Sequence, residues 1–290
     1  MNENRKAPKV FVGMPCGDGW THVSSAASAM QRASATPIIL GYEGGSCLMH
    51  TFNQLWTKGL LARESGVTHF AMIHADVEAS PGWLDVLVEE QRQTGAVAVS
   101  AVVAIKDNKG LTSTAVGSPT DFYDYRRITV SELRKLPATF EMADVARLWG
   151  PELTDGKCLL INTGCFLVDI RHPMWDEAAE DGTLAFAFEQ HSRIQRWPNG
   201  VYSPEFAPED WLISRYIARH GRSCAATTKV VTAHHGVQVY PNNVVWGSDH
   251  DVEIDEFWAK RKAAYKPSES LIEDEGGSAV GAAEELVQQT

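Results

Sequence analysis

The chain has 290 residues, 44% of them hydrophobic, and its 37 acidic and 26 basic residues give a formal net charge of −11 at pH 7. A chain of this length can bury a large core. Its acidic balance lacks the basic footprint of proteins that bind nucleic acid through phosphates. No apolar run approaches the roughly 20 residues that span a bilayer, so we expect a globular protein without a membrane span.

The first and last residues and the cysteines indicate the cellular compartment and the extent of the folded domain. The first ten residues, MNENRKAPKV, carry charge with no apolar segment behind them, unlike a secretory signal. Five widely spaced cysteines without a CxxC pair argue against a disulfide framework or a thiolate zinc site. We therefore expect a cytoplasmic protein. Residues 267–290 hold six acids and no Lys or Arg, which predicts a disordered acidic tail after a single domain at 1–266.

The first 105 residues alternate between apolar runs and helical patterns. The predicted elements are a strand at 9–14, a helix from about 21, a strand around 37–41, a helix at 48–63, a strand at 68–73, a helix between Pro81 and Gly95, and a strand at 96–105. This alternation predicts a parallel sheet with helices on both faces, whose ligands bind beyond the carboxyl ends of the strands. We assign the nucleotide-binding half of the domain to about 8–105.

The second half, about 106–266, is less regular. Residues 106–157 suggest hairpins and long loops rather than further strand and helix repeats. Order resumes with CLLINTGCFLVDI from residue 158 as strands, PEDWLISRYIARHG from residue 208 as a helix, and SCAATTKVVTAHHGV from residue 223 as an extended segment.

Acidic and imidazole side chains lie at the ends of three of these elements. Asp76 and Glu78 come just after a buried strand, Glu209 and Asp210 open a helix, and His234 and His235 end an extended run. Carboxylate and imidazole groups are ligands for divalent cations. Taken singly, the acids are also typical of helix caps and loops, and the histidines of packed core side chains.

The order of these groups resembles the GT-A glycosyltransferases, especially family-2-like enzymes that use nucleotide-diphospho sugars. The resemblance covers about residues 9–236 and depends on HFAMIHADV, PEDWLISRYIARHG and VVTAHHGV, with SCLMHTFNQLWTKGLLARESGVTHF leading into the first. It implies an α/β fold of GT-A type, with a mostly parallel Rossmann-like sheet flanked by helices and an irregular acceptor side. It also implies Mn²⁺ or Mg²⁺ as cofactor and a nucleotide sugar, UDP-linked in preference, as donor.

The same resemblance assigns the site residues. The candidate metal ligands are Asp76, Glu78, His234 and His235; the catalytic candidates are Asp210, as general base, and its neighbour Glu209; the donor-binding candidates are Pro15, Asp18, Glu43, His74 and Asp76; and the acceptor-binding candidates are Asn162, Thr163, Gly164 and Trp211. His74 stands where the family has its first Asp, so it can bind ribose, metal or neither. A register in which Asp76 and Glu78 form the acidic pair stays open.

We therefore expect a metal-dependent, inverting glycosyltransferase whose acceptor is a glycan, a lipid carrier, a protein or a modified nucleic acid base. One alternative is a sugar-binding module that has kept the fold and lost turnover, which His74 favours. A nucleotidyltransferase is disfavoured, because the first loop, GMPCGDGW, has no Lys or Arg.

Overall fold

A computed structural model describes residues 8–17, 19–30, 34–107, 109–198, 200–236 and 239–243. The predicted α/β class is confirmed, as a seven-stranded mixed sheet flanked by helices. The proposed tail at 267–290 lies outside the described residues. No helix in the described ranges is long and apolar enough to cross a membrane.

The described chain forms fifteen strands and seven α-helices. The strands are β1 Val10–Cys16, β2 Ile38–Gly44, β3 His69–Ile73, β4 Val77–Ala79, β5 Ala98–Ala101, β6 Leu111–Gly117, β7 Tyr125–Thr129, β8 Thr139–Glu141, β9 Cys158–Leu160, β10 Cys165–Asp169, β11 His191–Arg196, β12 Tyr202–Ala207, β13 Cys224–Thr227, β14 Thr232–His235 and β15 Val239–Pro241. The helices are α1 Val23–Ala29, α2 Leu48–Leu61, α3 Trp83–Thr94, α4 Val130–Leu133, α5 Met142–Trp149, α6 Pro151–Thr154 and α7 Asp210–Arg219.

The main sheet has the strand order β2-β1-β3-β10-β5-β13-β8. Strand β1 is parallel to β2 and β3, and β5 is parallel to β13. Strand β10 runs antiparallel between β3 and β5, and β8 is antiparallel at the edge beside β13. Five strands therefore share one direction, so their carboxyl ends open on the same edge of the sheet.

Alternating side chains on the strands build two cores, one on each face of the sheet. Phe11 packs on the face covered by α2 and α7, where Phe52 and Trp56 lie. Its neighbours Val10 and Val12 point to the other face, against α1 and α3. Helix α2 lies very close to β3, because a Cβ at its Gly59 would sit 2.6 Å from the Phe70 ring.

Residues 106–157 are more regular than their sequence suggests. Strands β6, β7 and β9 form a separate three-stranded antiparallel sheet in the order β7-β6-β9, and β8 joins the main sheet. The guanidinium of Arg215 on α7 donates to the carbonyls of Ser118, Asp121 (2.7 Å) and Phe122 (3.2 Å), which fixes the loop before β7. The predicted hairpin is present as β6 and β7, whereas the pairing of β6 with β9 and of β8 with β13 joins segments that the sequence pattern does not connect.

A second three-stranded sheet, β15-β14-β4, brings the last two described strands back to the segment after β3. In its register His234 pairs with Val77, and the amide of His235 donates to the carbonyl of Asp76 at 2.8 Å. This pairing places two histidines beside two acids that precede them by more than 150 residues.

Candidate active site at the carboxyl ends of the strands

A cavity of about 580 Å³ opens beyond the carboxyl ends of β1 and β3. This volume is within the range of about 300–1,000 Å³ that small-molecule sites occupy. Four predicted site residues line it: Pro15, His74, Asp76 and His235. The indole of Trp20, 77% exposed, is also part of the wall. Polar groups and an exposed aromatic ring therefore meet in a pocket large enough for a nucleotide.

Asp76 is the acid in this wall, and its carboxylate contacts both Lys106 and His234. Its Oδ2 forms an ion pair with the ammonium of Lys106 and lies 3.5 Å from Nε2 of His234. Burial raises the pKa of this carboxyl, but hydrogen bonds from His234 and Lys106 outweigh that effect and hold the pKa well below its usual range. Asp76 is therefore a carboxylate at any physiological pH.

The hydrogen bond of Nδ1 in His234 determines whether Nε2 of the same ring donates a proton or offers a lone pair. Nδ1 lies 2.8 Å from the carbonyl of Ala104, and because a carbonyl only accepts, Nδ1 carries the proton of this hydrogen bond. Nε2 then either donates a second proton to Asp76 or offers its lone pair to a cation shared with Asp76. A backbone carbonyl bound to the far nitrogen is the usual support of a histidine metal ligand.

Glu78 and His235 form a separate pair. Oε2 of Glu78 lies 3.0 Å from Nε2 of His235. The His235 ring in turn stacks on the ring of His22, with 3.7 Å between centroids and 13° between planes. The four predicted metal ligands thus form two pairs, Asp76 with His234 and Glu78 with His235, instead of one cluster.

Asp76 and His234 fit a divalent ion, although the protein supplies only part of its coordination. Among the described residues, no group of three or more His, Cys, Asp and Glu side chains could hold a metal by itself. Two ligand atoms each about 2.1 Å from one ion lie roughly 3 to 4 Å apart, which matches the 3.5 Å between these two atoms. Mg²⁺ commonly binds to one or two protein groups plus substrate phosphates and water.

His74 lines the same cavity, and its hydrogen bonds go to Thr163 and Gly164. Its Nε2 lies 3.4 Å from the hydroxyl of Thr163, and its amide donates to the carbonyl of Gly164 at 3.0 Å. Burial lowers its pKa, against the raising effect of Asp210 and Asp76, so the ring is neutral. The imidazole therefore connects the segment after β3 to the loop between β9 and β10.

Thr163 joins this strand end to the acid pair of α7. Its amide donates to Oδ1 of Asp210 at 3.1 Å, and its hydroxyl bonds the same oxygen. Glu209 lies beside Asp210, and burial together with the charge of Asp210 raises the pKa of Glu209 to about 7. Of the two carboxyls, Asp210 is held by hydrogen bonds and Glu209 holds its proton up to neutral pH.

Two predicted contact residues are engaged elsewhere. The carboxylate of Glu43 forms an ion pair with Lys58 and does not line the cavity. The buried amide of Asn162 donates to the carbonyl of Ala101 at 2.7 Å and accepts from the amide of Cys165 at 3.3 Å. Both side chains therefore support the fold, and Asp18 lies outside the described residues.

Trp211 does not offer a stacking face to a sugar. Its side chain is 1% exposed, and its Nε1 donates to the carbonyl of Ser113 at 2.7 Å. Tyr125 and Arg127 cover the ring, with 4.5 Å from the indole centroid to each. The assignment of Trp211 to acceptor binding is corrected to a packing role between α7 and the sheet of β6, β7 and β9.

The sequence interpretation missed three residues of the site: Lys106, His22 and Trp20. Lys106 is the first charged residue after the apolar run at 96–105, so its position beyond a strand end was a usable signal. His22 and Trp20 lie in a loop without a distinguishing pattern, and only the fold brings them to the cavity.

Comparisons with known proteins add little to this geometry. No protein-family model matches the sequence, and no curated protein matches it. A solved structure similar to this chain is the crystal structure of A197 from STIV, with 11% identity, a TM-score of 0.43, and coverage of 83% of this chain and 95% of the other. A similarity this distant carries no argument, so function is argued from the site itself.

Proposed function

We propose that this chain is a GT-A-type glycosyltransferase that moves a sugar from a nucleotide-diphospho sugar to an acceptor hydroxyl. The observation that carries the proposal is a chain of contacts from three distant segments to one strand-end cavity: Asp76 lines the cavity and lies 3.5 Å from His234, and Asp210 bonds Thr163, which contacts the cavity residue His74. Asp76 lines the cavity, His234 lies behind Asp76, and Asp210 is connected to the wall through Thr163 and His74.

The donor occupies the cavity in this proposal. Asp76 and His234 would hold Mn²⁺ or Mg²⁺, which would neutralise the charge developing on the departing diphosphate. The exposed indole of Trp20 stacks on the nucleoside base, since a base stacks on any aromatic face. A UDP-sugar stays the preferred donor.

The acceptor approaches from the side of Asp210. Its hydroxyl oxygen bonds the anomeric carbon while the bond from that carbon to the diphosphate oxygen breaks, and the nucleoside diphosphate leaves with the electron pair. Oδ2 of Asp210 takes the hydroxyl proton. Thr163 holds Oδ1, so the free oxygen keeps a fixed direction. A single base opposite the leaving group produces inversion.

The decisive experiment is calorimetric titration with UDP-, GDP-, TDP- and CDP-sugars, in Mn²⁺ and again in EDTA. We expect one nucleotide to bind, more tightly in Mn²⁺, and Asp76→Asn to remove the metal-dependent part. The matched control is Asp107→Asn, which neutralises a partly buried acid of the nearby loop that does not line the cavity. A folded protein that binds none of these donors in either condition would contradict the proposal.

A further inference from the structure

The backbone at Lys106 is held in a turn. Lys106 follows the buried end of the β5 segment, and the amide of the next residue, Asp107, donates to the carbonyl of Ile105 at 2.9 Å, so the chain turns there. Its ammonium forms an ion pair with Oδ2 of Asp76, and both side chains are partly exposed, at 34% and 43%. A cation supplied by the protein therefore lies on a carboxylate that lines the donor cavity.

Gly236 provides the space for this lysine. A Cβ at residue 236 would lie 3.0 Å from Cδ and 3.7 Å from Cε of Lys106. Gly236 has no left-handed backbone angle that would require glycine, so its missing side chain serves as clearance. The stem of Lys106 thus passes over the end of β14 on its way to Asp76.

The ammonium and a divalent ion need the same oxygen. Lys106 bonds the Oδ2 atom that lies 3.5 Å from Nε2 of His234, the pair of atoms that fits a metal. Two cations on one carboxylate oxygen repel each other strongly at this short range. A metal can therefore bind fully to Asp76 and His234 only after the ammonium has turned away.

We propose that Lys106 is the resident cation of the donor site: it rests on Asp76 while the site is empty and turns to the diphosphate oxygens when a donor enters. Its release then opens Asp76 and His234 to the divalent ion. The ammonium is a strong point-charge ligand for phosphate, and its flexible stem allows the turn. That the ligand is a nucleotide-sugar donor rests on the proposed function. The effects of Lys106 on metal binding and on diphosphate binding do not depend on it.

The test measures those two affinities with simple probes. Mn²⁺ binding is followed by electron paramagnetic resonance without any nucleotide, and inorganic pyrophosphate binding by calorimetry in EDTA. For Lys106→Met, which keeps the length and removes the charge, we expect Mn²⁺ to bind at least tenfold more tightly and pyrophosphate at least tenfold more weakly. Lys109→Met, an exposed lysine of the same loop, should behave as the unmodified protein.

A second variant perturbs the same contact without removing the charge. Gly236→Ala pushes the stem of Lys106 aside, so Mn²⁺ should bind several-fold more tightly while the ammonium remains in the site. If Lys106→Met is folded and leaves either affinity unchanged, the proposal is overturned, because it assigns both effects to one ammonium. If both affinities change as expected but no nucleotide sugar binds, Lys106 keeps its role and the transferase proposal fails instead.

Discussion

Thr163 holds Asp210 by two hydrogen bonds to a single carboxylate oxygen, one from its amide at 3.1 Å and one from its hydroxyl. Within the described part of the chain, Oδ2 of Asp210 accepts no hydrogen bond. A carboxylate fixed through one oxygen and free at the other suits a general base, because its reactive lone pair has a defined direction.

Asp210→Asn should lower kcat by about 10²- to 10⁴-fold, the usual contribution of a general base. Donor affinity should stay within about twofold, since the amide still accepts from Thr163 and Asp76 is untouched. The companion variant Thr163→Val removes the hydroxyl but keeps the amide bond, so its loss should be smaller. The measurement is steady-state kinetics together with donor titration, and full turnover by Asp210→Asn would exclude it as the base.

Glu209→Gln should stabilise the protein at pH 8. The pKa of Glu209 is raised to about 7, so the folded state binds this proton more tightly than the unfolded chain, and stability falls as the pH rises from 4.5 to 7. Glutamine avoids that charge, which should add about 2 kcal/mol to the free energy of unfolding at pH 8 after allowance for partial exposure. Urea unfolding should show little difference at pH 4, and the exposed control Glu180→Gln should have little effect at either pH.

His74→Asp introduces the acid that the proposed glycosyltransferase resemblance expects at this position, and in this chain it should be harmful. The new carboxylate would be buried beside Asp76 and Asp210, without the bond from His74 to Thr163. We expect a loss of about 2–4 kcal/mol in unfolding free energy at pH 8, as for an unpaired buried charge. His74→Asn is similar in size and uncharged and should lose less; equal losses would show that size, not charge, decides.

Protonation of His69 should destabilise the fold in mild acid. Burial lowers the pKa of this strand β3 histidine to about 4, against a raising effect of Asp169. The folded state therefore resists the proton that the unfolded chain accepts below about pH 6.5, so its stability is full above pH 6.5 and falls as the pH drops toward 4. The loss is on the order of 3 kcal/mol. His69→Gln should flatten urea-derived stability between pH 6.5 and 4, whereas the exposed His50→Gln should not.

Trp211 and Trp20 should differ in what their removal affects. Trp211→Ala removes a buried ring that bonds Ser113, so unfolding free energy should fall by about 3–5 kcal/mol. Trp20→Ala should change stability by less than about 0.5 kcal/mol and weaken nucleotide binding by about 1–3 kcal/mol through lost stacking. Thermal melts and donor titrations separate the two effects, and a stable Trp211→Ala would return that ring to the acceptor side.

The sequence determined the fold class and the order of the principal elements. Buried strands β1, β3 and β5 appear as apolar runs, and helix α7 begins at the predicted acid pair, because period and capping are local properties of the chain. The sequence also placed His74 and Asp76 at the ligand edge, since polar groups after parallel strands face that edge, and both line the cavity.

Only the tertiary structure decided which segments become neighbours. The antiparallel insertion of β10 between β3 and β5, and the pairing of β14 with β4, depend on contacts across many residues that no local pattern encodes. The same contacts bury Trp211, bring Lys106 onto Asp76 beside Gly236, and tie Thr163 to Asp210. Residue type sets which chemistry a side chain can perform, whereas packing of distant segments sets the partner with which it performs it.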